Sequence, residues 1–428
     1  MLSFLRFSPR RESGRRSSSS VFKERANPMD IDSAIKTAEK TLFPNYRQYP
    51  IVIERGKDCR VWDTNGNEYV DFVAGIATCN LGHCHPAVTA AIREQAKKVI
   101  HVSNWYFNSP QIDLSRRLTD LTSMDRVFFC NSGAEAAETA IKTARKWAYD
   151  EYGPGRHTVI SLLGAFHGRT MKALTATDPK HHHAAFSPYP EGFVHIRPGD
   201  LAALVKHIPN SCAFLMEIIQ GEGGVYPIDP DFIREAERAC REGGVLMIID
   251  EVQTGMGRCG SLLASELTGI TPDIVTLAKG LGNGFPIGAV LAREEVASHI
   301  GPGSHGSTFG GNPLACSAAL ATLNALVSEN LFDRARIMGK ILRQGLEDLL
   351  GRTPVALEVR GAGLLLGLEL SIKAGSIVES MMNRGYLVTA VQEKTLRFTP
   401  PLTVGEDDIR GLLANLKDVF MTMKGFPG

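Results

Sequence analysis

Lys279 is the residue whose surroundings most restrict what this chain can do. The run Ile274-Val275-Thr276-Leu277-Ala278 is apolar and rich in β-branched side chains, so it reads as a buried strand that delivers a lysine at its carboxyl end. Gly280-Leu281-Gly282-Asn283-Gly284 then turns the chain away. A lysine held in a semi-dry pocket loses part of its proton affinity and becomes an amine nucleophile toward a carbonyl, the chemistry of a Schiff base. Taken alone it reads more readily as a solvated lysine at a strand exit.

Other strand ends carry a matching set. Val127 to Cys130 leads into Asn131-Ser132-Gly133-Ala134-Glu135, where Ser132 and Glu135 have capping-box spacing and small residues leave backbone N–H groups open to a phosphate. Thr158 to Ser161 leads to Phe166-His167-Gly168-Arg169-Thr170, with a ring for a flat ligand and a guanidinium for a carboxylate. Ala213 to Met216 ends in Glu217 and reaches Glu222 in a glycine-rich loop. Val245 to Ile249 ends in Asp250-Glu251-Val252-Gln253, where Asp250 could pair with a protonated ring nitrogen and Gln253 with a ring oxygen. Gly306 to Pro313 is a second small-residue loop suited to a phosphate. Each has an ordinary reading as a cap, a core ring or a surface charge. Together they fit a phosphorylated aromatic aldehyde, pyridoxal 5'-phosphate.

The elements that must position these residues are legible in outline. From about residue 85, short apolar strands alternate with helical stretches, the pattern of an α/β fold with a mostly parallel sheet buried on both faces. Ligands of such sheets lie beyond the carboxyl ends of the strands. Ile51 to Phe72 reads as a small antiparallel unit after an amphipathic segment from Ile35 to Leu42. Beyond Pro313 a long helical segment leads to an α+β unit with strands over Gly363 to Glu369 and Leu396 to Phe398. The domains are expected as residues 1–28 (tail or targeting segment), 29–80 (N-terminal part of a small domain), 81–320 (large cofactor-binding domain) and 321–428 (rest of the small domain).

Composition narrows the function classes. The 428 residues are 43% hydrophobic and 22% charged, as in a globular protein with more than one core. A net charge of +1 offers no basic field for nucleic acid or anionic membrane, and no apolar run approaches the roughly 20 residues of a spanning helix. Small-molecule partners are expected. Eight cysteines without a Cys-x-x-Cys pair point to a reducing compartment, the cytoplasm. Residues 1–28 hold Arg6, Arg10, Arg11, Arg15, Arg16 and the run Ser17 to Ser20. They read as a disordered tail, as sequence upstream of a start at Met29, or as a transit peptide to a mitochondrion or plastid.

Two rival chemistries are visible. Gly255-Met256-Gly257-Arg258-Cys259-Gly260 has the glycine spacing of a nicotinamide dinucleotide loop, but Asp250 to Thr254 separate it from the strand and no clear helix opens at Gly260. Cys79, His83, Cys84 and His85, and Asp178 with His181, His182 and His183, cluster without zinc-site spacing, so no metal is expected. A non-enzymatic scaffold is disfavoured because Lys279 and Asp250 are both present.

From about Tyr46 to Leu402 the chain resembles the class III aminotransferases of the fold-type I pyridoxal-phosphate superfamily. The stretches Asn131-Ser132-Gly133-Ala134-Glu135, Phe166-His167-Gly168-Arg169-Thr170, Asp250-Glu251-Val252-Gln253-Thr254-Gly255 and Leu277-Ala278-Lys279-Gly280 carry the resemblance. Leu81 to Pro86, His101 to Asn104 and Gly306 to Cys316 are similar to members acting on N-acetylornithine.

The resemblance implies roles. Lys279 would bind the cofactor covalently and shuttle a proton. Asp250 would keep the ring nitrogen protonated, Phe166 and Val252 would cover the ring faces, and Gln253 would meet the ring oxygen. Ser132, Gly133 and Ala134 would hold the phosphate. Thr308 would reach the phosphate of a neighbouring subunit, implying a homodimer. Arg169 would bind the substrate carboxylate far from the reacting carbon and Arg397 the one beside it, with Glu222 pairing Arg397 when no carboxylate is there; Tyr46 would also face substrate.

The implied reaction passes the δ-amino group of N-acetylornithine to 2-oxoglutarate by a ping-pong route in arginine biosynthesis. Ornithine, succinylornithine, succinyl-diaminopimelate and other ω-amino acids are the alternatives. This chain departs from the family at Ile218, usually Pro, and at Ala137, often Asn in the N-acetylornithine group. It also has Ile76 where ornithine aminotransferases carry Tyr, which argues against free ornithine.

Overall fold

The computed structural model describes residues 30–353 and 355–422, so the 1–28 tail lies outside the described residues. Described residues 30–54 with 62–67 form one unit, and 55–61 with 68–422 a second. In the first, helix Ile31–Thr41 is capped by the Asp30 carboxylate, which accepts the Ser33 N–H. Its Asp63 closes a turn by accepting the Asn65 and Asn67 N–H groups.

The second unit is built on a seven-stranded sheet. Its order is Arg126–Cys130, Gly288–Ala292, Ile274–Leu277, Leu246–Asp250, Ser211–Met216, Thr158–Leu162 and Phe193–Ile196. The pairings from Ile274–Leu277 outward to Phe193–Ile196 are parallel, and Gly288–Ala292 is antiparallel to both its neighbours. The central strands are buried at every residue, which is why they lack polar alternation. Helix Gly133–Tyr152 lays Ala136, Ala140, Ile141, Ala144 and Ala148 on the sheet. Their three- and four-residue spacing makes one apolar face, and their small size lets the helix approach closely.

A four-stranded sheet, ordered Ala356–Ala362, Leu365–Leu370, Thr395–Phe398 and Thr389–Val391, forms the later part of the unit. The run expected as one strand from Gly363 to Glu369 instead begins with a hairpin turn. Gly363 has φ +52° and pairing resumes at Leu365, opposite Ala362. A Cβ at Gly363 would lie 2.6 Å from the Cys259 carbonyl carbon, so only glycine fits the turn. The expected antiparallel unit between Ile51 and Phe72 also differs in part: Tyr386–Leu387 pairs with Val70 and Asp71 in parallel. That pairing joins residues over 300 positions apart, which no local pattern signals. The strand Phe193–Ile196, partly exposed at the sheet edge, and the hairpin of Ile219–Gln220 with Tyr226–Pro227 were not anticipated.

No single helix among the described residues is long and apolar enough to cross a membrane. The loop Gly255–Gly260 opens no helix; it places Arg258, fully buried, where its Nη atoms donate to the Leu364 and Pro400 carbonyls and to Asn80. This is a structural tie, and burial pushes the guanidinium pKa down to about 10.

Candidate active site

The carboxyl ends of the central strands open on a cavity of about 430 Å³, within the range of small-ligand sites. Lys279 stands there, separated from strand Ile274–Leu277 by Ala278 alone, with φ +38°, a left-handed conformation that lysine rarely adopts. The turn is tight because Gly280 packs on Asn80, where a Cβ would come within 2.3 Å of Nδ2. Desolvation lowers the Lys279 ammonium below the ordinary lysine value; Glu222 opposes the shift and Arg397 adds to it.

Asp250 ends the neighbouring strand and is 4% exposed. Its Oδ2 lies 2.7 Å from His167 Nδ1, and its Oδ1 accepts the Val252 N–H at 3.0 Å and the Thr276 hydroxyl at 3.1 Å. Sheet register sets the last contact, since Asp250 and Thr276 are paired across the strands. His167 is buried, and its Nε2 has no hydrogen-bond partner among the described residues. Reading single residues gave His167 no role, although the strand-end loop that carries it was singled out.

The phosphate end fits as well. Ser132 caps helix Gly133–Tyr152 by accepting the Glu135 N–H at 3.2 Å, leaving the Gly133 and Ala134 amides ahead of the first helical bonds. The capping box is shifted: the Glu135 carboxylate returns to the Asn131 N–H at 2.8 Å rather than to Ser132. Gly133 is required, since a Cβ there would meet Val252 Cγ1 at 2.8 Å. Phe166 lies under the Arg169 guanidinium, 5.1 Å from its ring centroid, with the His181 ring edge-on at 6.1 Å.

At the other wall Arg397, 2% exposed on strand Thr395–Phe398, sits behind Glu222 and Gln253, which line the cavity. Its Nη1 donates to Glu222 Oε1 at 2.5 Å, Gln253 Oε1 at 3.1 Å and the Gly221 carbonyl at 3.4 Å. Burial would raise the Glu222 pKa, but Arg397 more than offsets this and holds it below the ordinary glutamate value. Glu217, also lining the cavity, has no ion-pair partner among the described residues; burial pushes it up to about 7.

Lys279, Asp250, Ser132, Gly133, Ala134, Phe166, Val252, Gln253, Arg169 and Glu222 thus share one cavity. Thr308 is exposed and outside it, on a loop held by Asn104 Nδ2 through the Ser307 and Gly310 carbonyls. Tyr46 belongs to the other unit and is 78% exposed. Ile76 lies in a left-handed turn, Ala74 to Ala77, just ahead of the cavity residue Thr78. The histidine clusters have local partners: His83 meets Asp71 at 2.7 Å, His85 meets Glu329 at 3.2 Å, and His182 stacks on Tyr189.

An amine, a buried carboxylate, a stacking ring and an open helix N-terminus around one cavity fit a phosphorylated aromatic aldehyde, because each has a complementary group on it. The chain belongs to the class III aminotransferase family, whose pattern matches residues 42–420; it is an aminotransferase. Family members depend on pyridoxal phosphate. The acetylornithine aminotransferase of Caldanaerobacter subterraneus subsp. tengcongensis is 46% identical over 388 residues, 90% of this chain and 98% of that protein. The ornithine aminotransferase of Toxoplasma gondii, whose active site holds pyridoxal phosphate at partial occupancy, superposes with a TM-score of 0.89 at 38% identity over 93% of this chain and 95% of that one. The acetylornithine aminotransferase of Elizabethkingia anophelis gives 0.84 at 35%, covering 92% and 99%.

Proposed function

We propose that this chain passes the δ-amino group of N-acetylornithine to 2-oxoglutarate, with pyridoxal 5'-phosphate held around Lys279. One observation carries the reading: a buried arginine, Arg397, is closed by the chain's own Glu222 at 2.5 Å. A buried guanidinium is costly without a partner, so an arginine that must bind a carboxylate in only one half-reaction needs a stand-in for the other.

When bound, the cofactor supplies a cationic ring that takes up the electron pair released at the amine-bearing carbon. Lys279 Nζ moves the proton at that carbon, its lowered pKa favouring the free amine. Asp250, oriented by His167 and Thr276, keeps a negative charge at the ring nitrogen. Phe166 and Val252 cover the ring, Gln253 meets its oxygen, and Ser132, Gly133 and Ala134 hold the phosphate. N-acetylornithine brings an α-carboxylate to Arg169 and no charge to Arg397, so Glu222 stays in place. 2-Oxoglutarate displaces Glu222 with the carboxylate beside its carbonyl and gives the other to Arg169.

The apolar Ile76 in place of a hydroxyl supports an acylated donor over free ornithine, and the Caldanaerobacter relative supports the same choice. The reading includes a homodimer in which Thr308 reaches the neighbouring site. Exposed Trp105, Tyr106 and Phe107, tied through Asn104 to the loop carrying Thr308 and Phe309, support a second copy covering this face.

A stopped-flow absorbance trace of the yellow holoenzyme tests the reading. Fast bleaching by N-acetylornithine and slow bleaching by ornithine is the expected result. Faster bleaching by ornithine moves the substrate to the free amino acid, and no bleaching by either places it outside this group.

A further inference from the structure

Glu217 has no part in the steps above, yet its carboxylate joins two segments on which they depend. It follows strand Ser211–Met216 and is 4% exposed. Its Oε2 accepts the Phe166 N–H at 3.0 Å, and its Oε1 accepts the Gly221 N–H at 3.3 Å. Phe166 supplies the ring face. Gly221 directly precedes Glu222, and its carbonyl accepts from Arg397 at 3.4 Å. One side chain therefore spans the ring clamp and the glutamate that closes Arg397.

The two segments are also in direct contact. Gln220 Nε2 donates to the Leu163 carbonyl at 2.9 Å. A Cβ at Gly223 would lie 2.4 Å from the Gly164 carbonyl oxygen, and one at Gly221 would lie 2.1 Å from Gln253 Oε1. With so little room, a small change in the anchor moves the backbone that carries Glu222. Three charged or titratable groups face Glu217 across the cavity floor: His167, Asp250 and Lys279. None is hydrogen-bonded to it, so its two oxygens are committed to the two amides.

We propose that Glu217 is a positioning residue for substrate selection: by holding the Gly221 amide it seats Glu222 on Arg397, and by holding the Phe166 amide it fixes the clamp to the same point. The inference rests on reading Glu222 and Arg397 as a switch. In Glu217→Gln one oxygen becomes an NH2 group, which cannot accept from an amide. The side chain then keeps the shorter contact to Phe166 and releases Gly221, so Glu222 leaves Arg397 more readily. Dicarboxylates gain and donors without that carboxylate lose.

The test compares wild type with Glu217→Gln, and with Glu217→Ala as a second variant, all loaded with cofactor. Glutarate binding by calorimetry is read first, then first-half-reaction kcat/KM for L-glutamate and N-acetylornithine. Glu217→Gln is expected to tighten glutarate and to raise the glutamate to N-acetylornithine ratio by about tenfold, the upper scale of one hydrogen bond. Glu217→Ala should move the ratio the same way and weaken retention of pyridoxal phosphate in ultrafiltration. Unchanged glutarate affinity with equal losses for both donors overturns the proposal. Wild type that ignores N-acetylornithine overturns the substrate reading instead, while the glutarate comparison still decides the role of Glu217.

Discussion

Two arginines stand at the same cavity under opposite conditions. Arg397 is buried in the middle of a sheet and is neutralised by Glu222, while Arg169 is exposed, lies over Phe166, and has no carboxylate within ion-pair distance among the described residues. The difference follows from desolvation. An exposed guanidinium waits in water at little cost, so it can serve every substrate without a partner. A buried one cannot stay unpaired, so the chain supplies the partner and makes binding there conditional. Selectivity is thus expected at the buried arginine and general anchoring at the exposed one.

The largest perturbation removes the amine on which the proposed chemistry depends. Lys279→Ala is expected to lower turnover by more than about 10³-fold, since no other amine lines the cavity among the described residues. Glutarate binding should persist; turnover near wild type would break the mechanism. Next is Arg397→Ala, expected to cut the 2-oxoglutarate half-reaction by about 10²-fold or more while changing the N-acetylornithine half by less than about threefold. Equal losses in single-turnover traces would abolish the distinction. Arg169→Ala should weaken both halves together, raising KM by about threefold to fivefold in each. A loss confined to one half would mean that the two arginines divide the work differently.

The smallest effect lies outside the cavity and gauges what a paired cation contributes without a switch. His83 is partly exposed and bonded to Asp71 at 2.7 Å; that bond, with help from Cys79, pushes its pKa from 6.5 up to about 10. A raised histidine pKa adds stability that is fully present below about pH 6.5 and fades as pH rises toward 10. His83→Asn should therefore lower stability by about 1 kcal/mol at pH 6, after solvent screening, and by almost nothing above pH 10. Melting curves across that range decide it; a pH-independent loss would mean that the imidazole acts by packing alone.

Much of this site could be read before the fold was seen. The run from Ile274 to Ala278 made a strand obvious, and Lys279 followed from its end. The same logic found Asp250, the Ser132 cap and the Phe166 loop, because a doubly buried parallel strand has an apolar signature and its carboxyl end is where polar residues resume. His167, in the Phe166 loop, and Glu217, at the end of the next strand, carry no local signal of a role. The partners that define them, Asp250 and the Phe166 amide, lie 83 and 51 positions away, and nothing in local spacing specifies such pairs. The turn at Gly363 is not legible in the sequence because glycine inside an apolar run gives no sign of which backbone it will meet.

By itself, then, the sequence determined the buried central strands, the residues at their ends and the amine beside a carboxylate, since burial patterns and turn chemistry are local. Only the tertiary structure decided which groups share charge and protons. Strand order put Asp250 beside Thr276, a loop crossing put His167 on Asp250, and a separate sheet brought Arg397 to Glu222. Those pairings depend on distance and desolvation, and both are set by how distant segments pack.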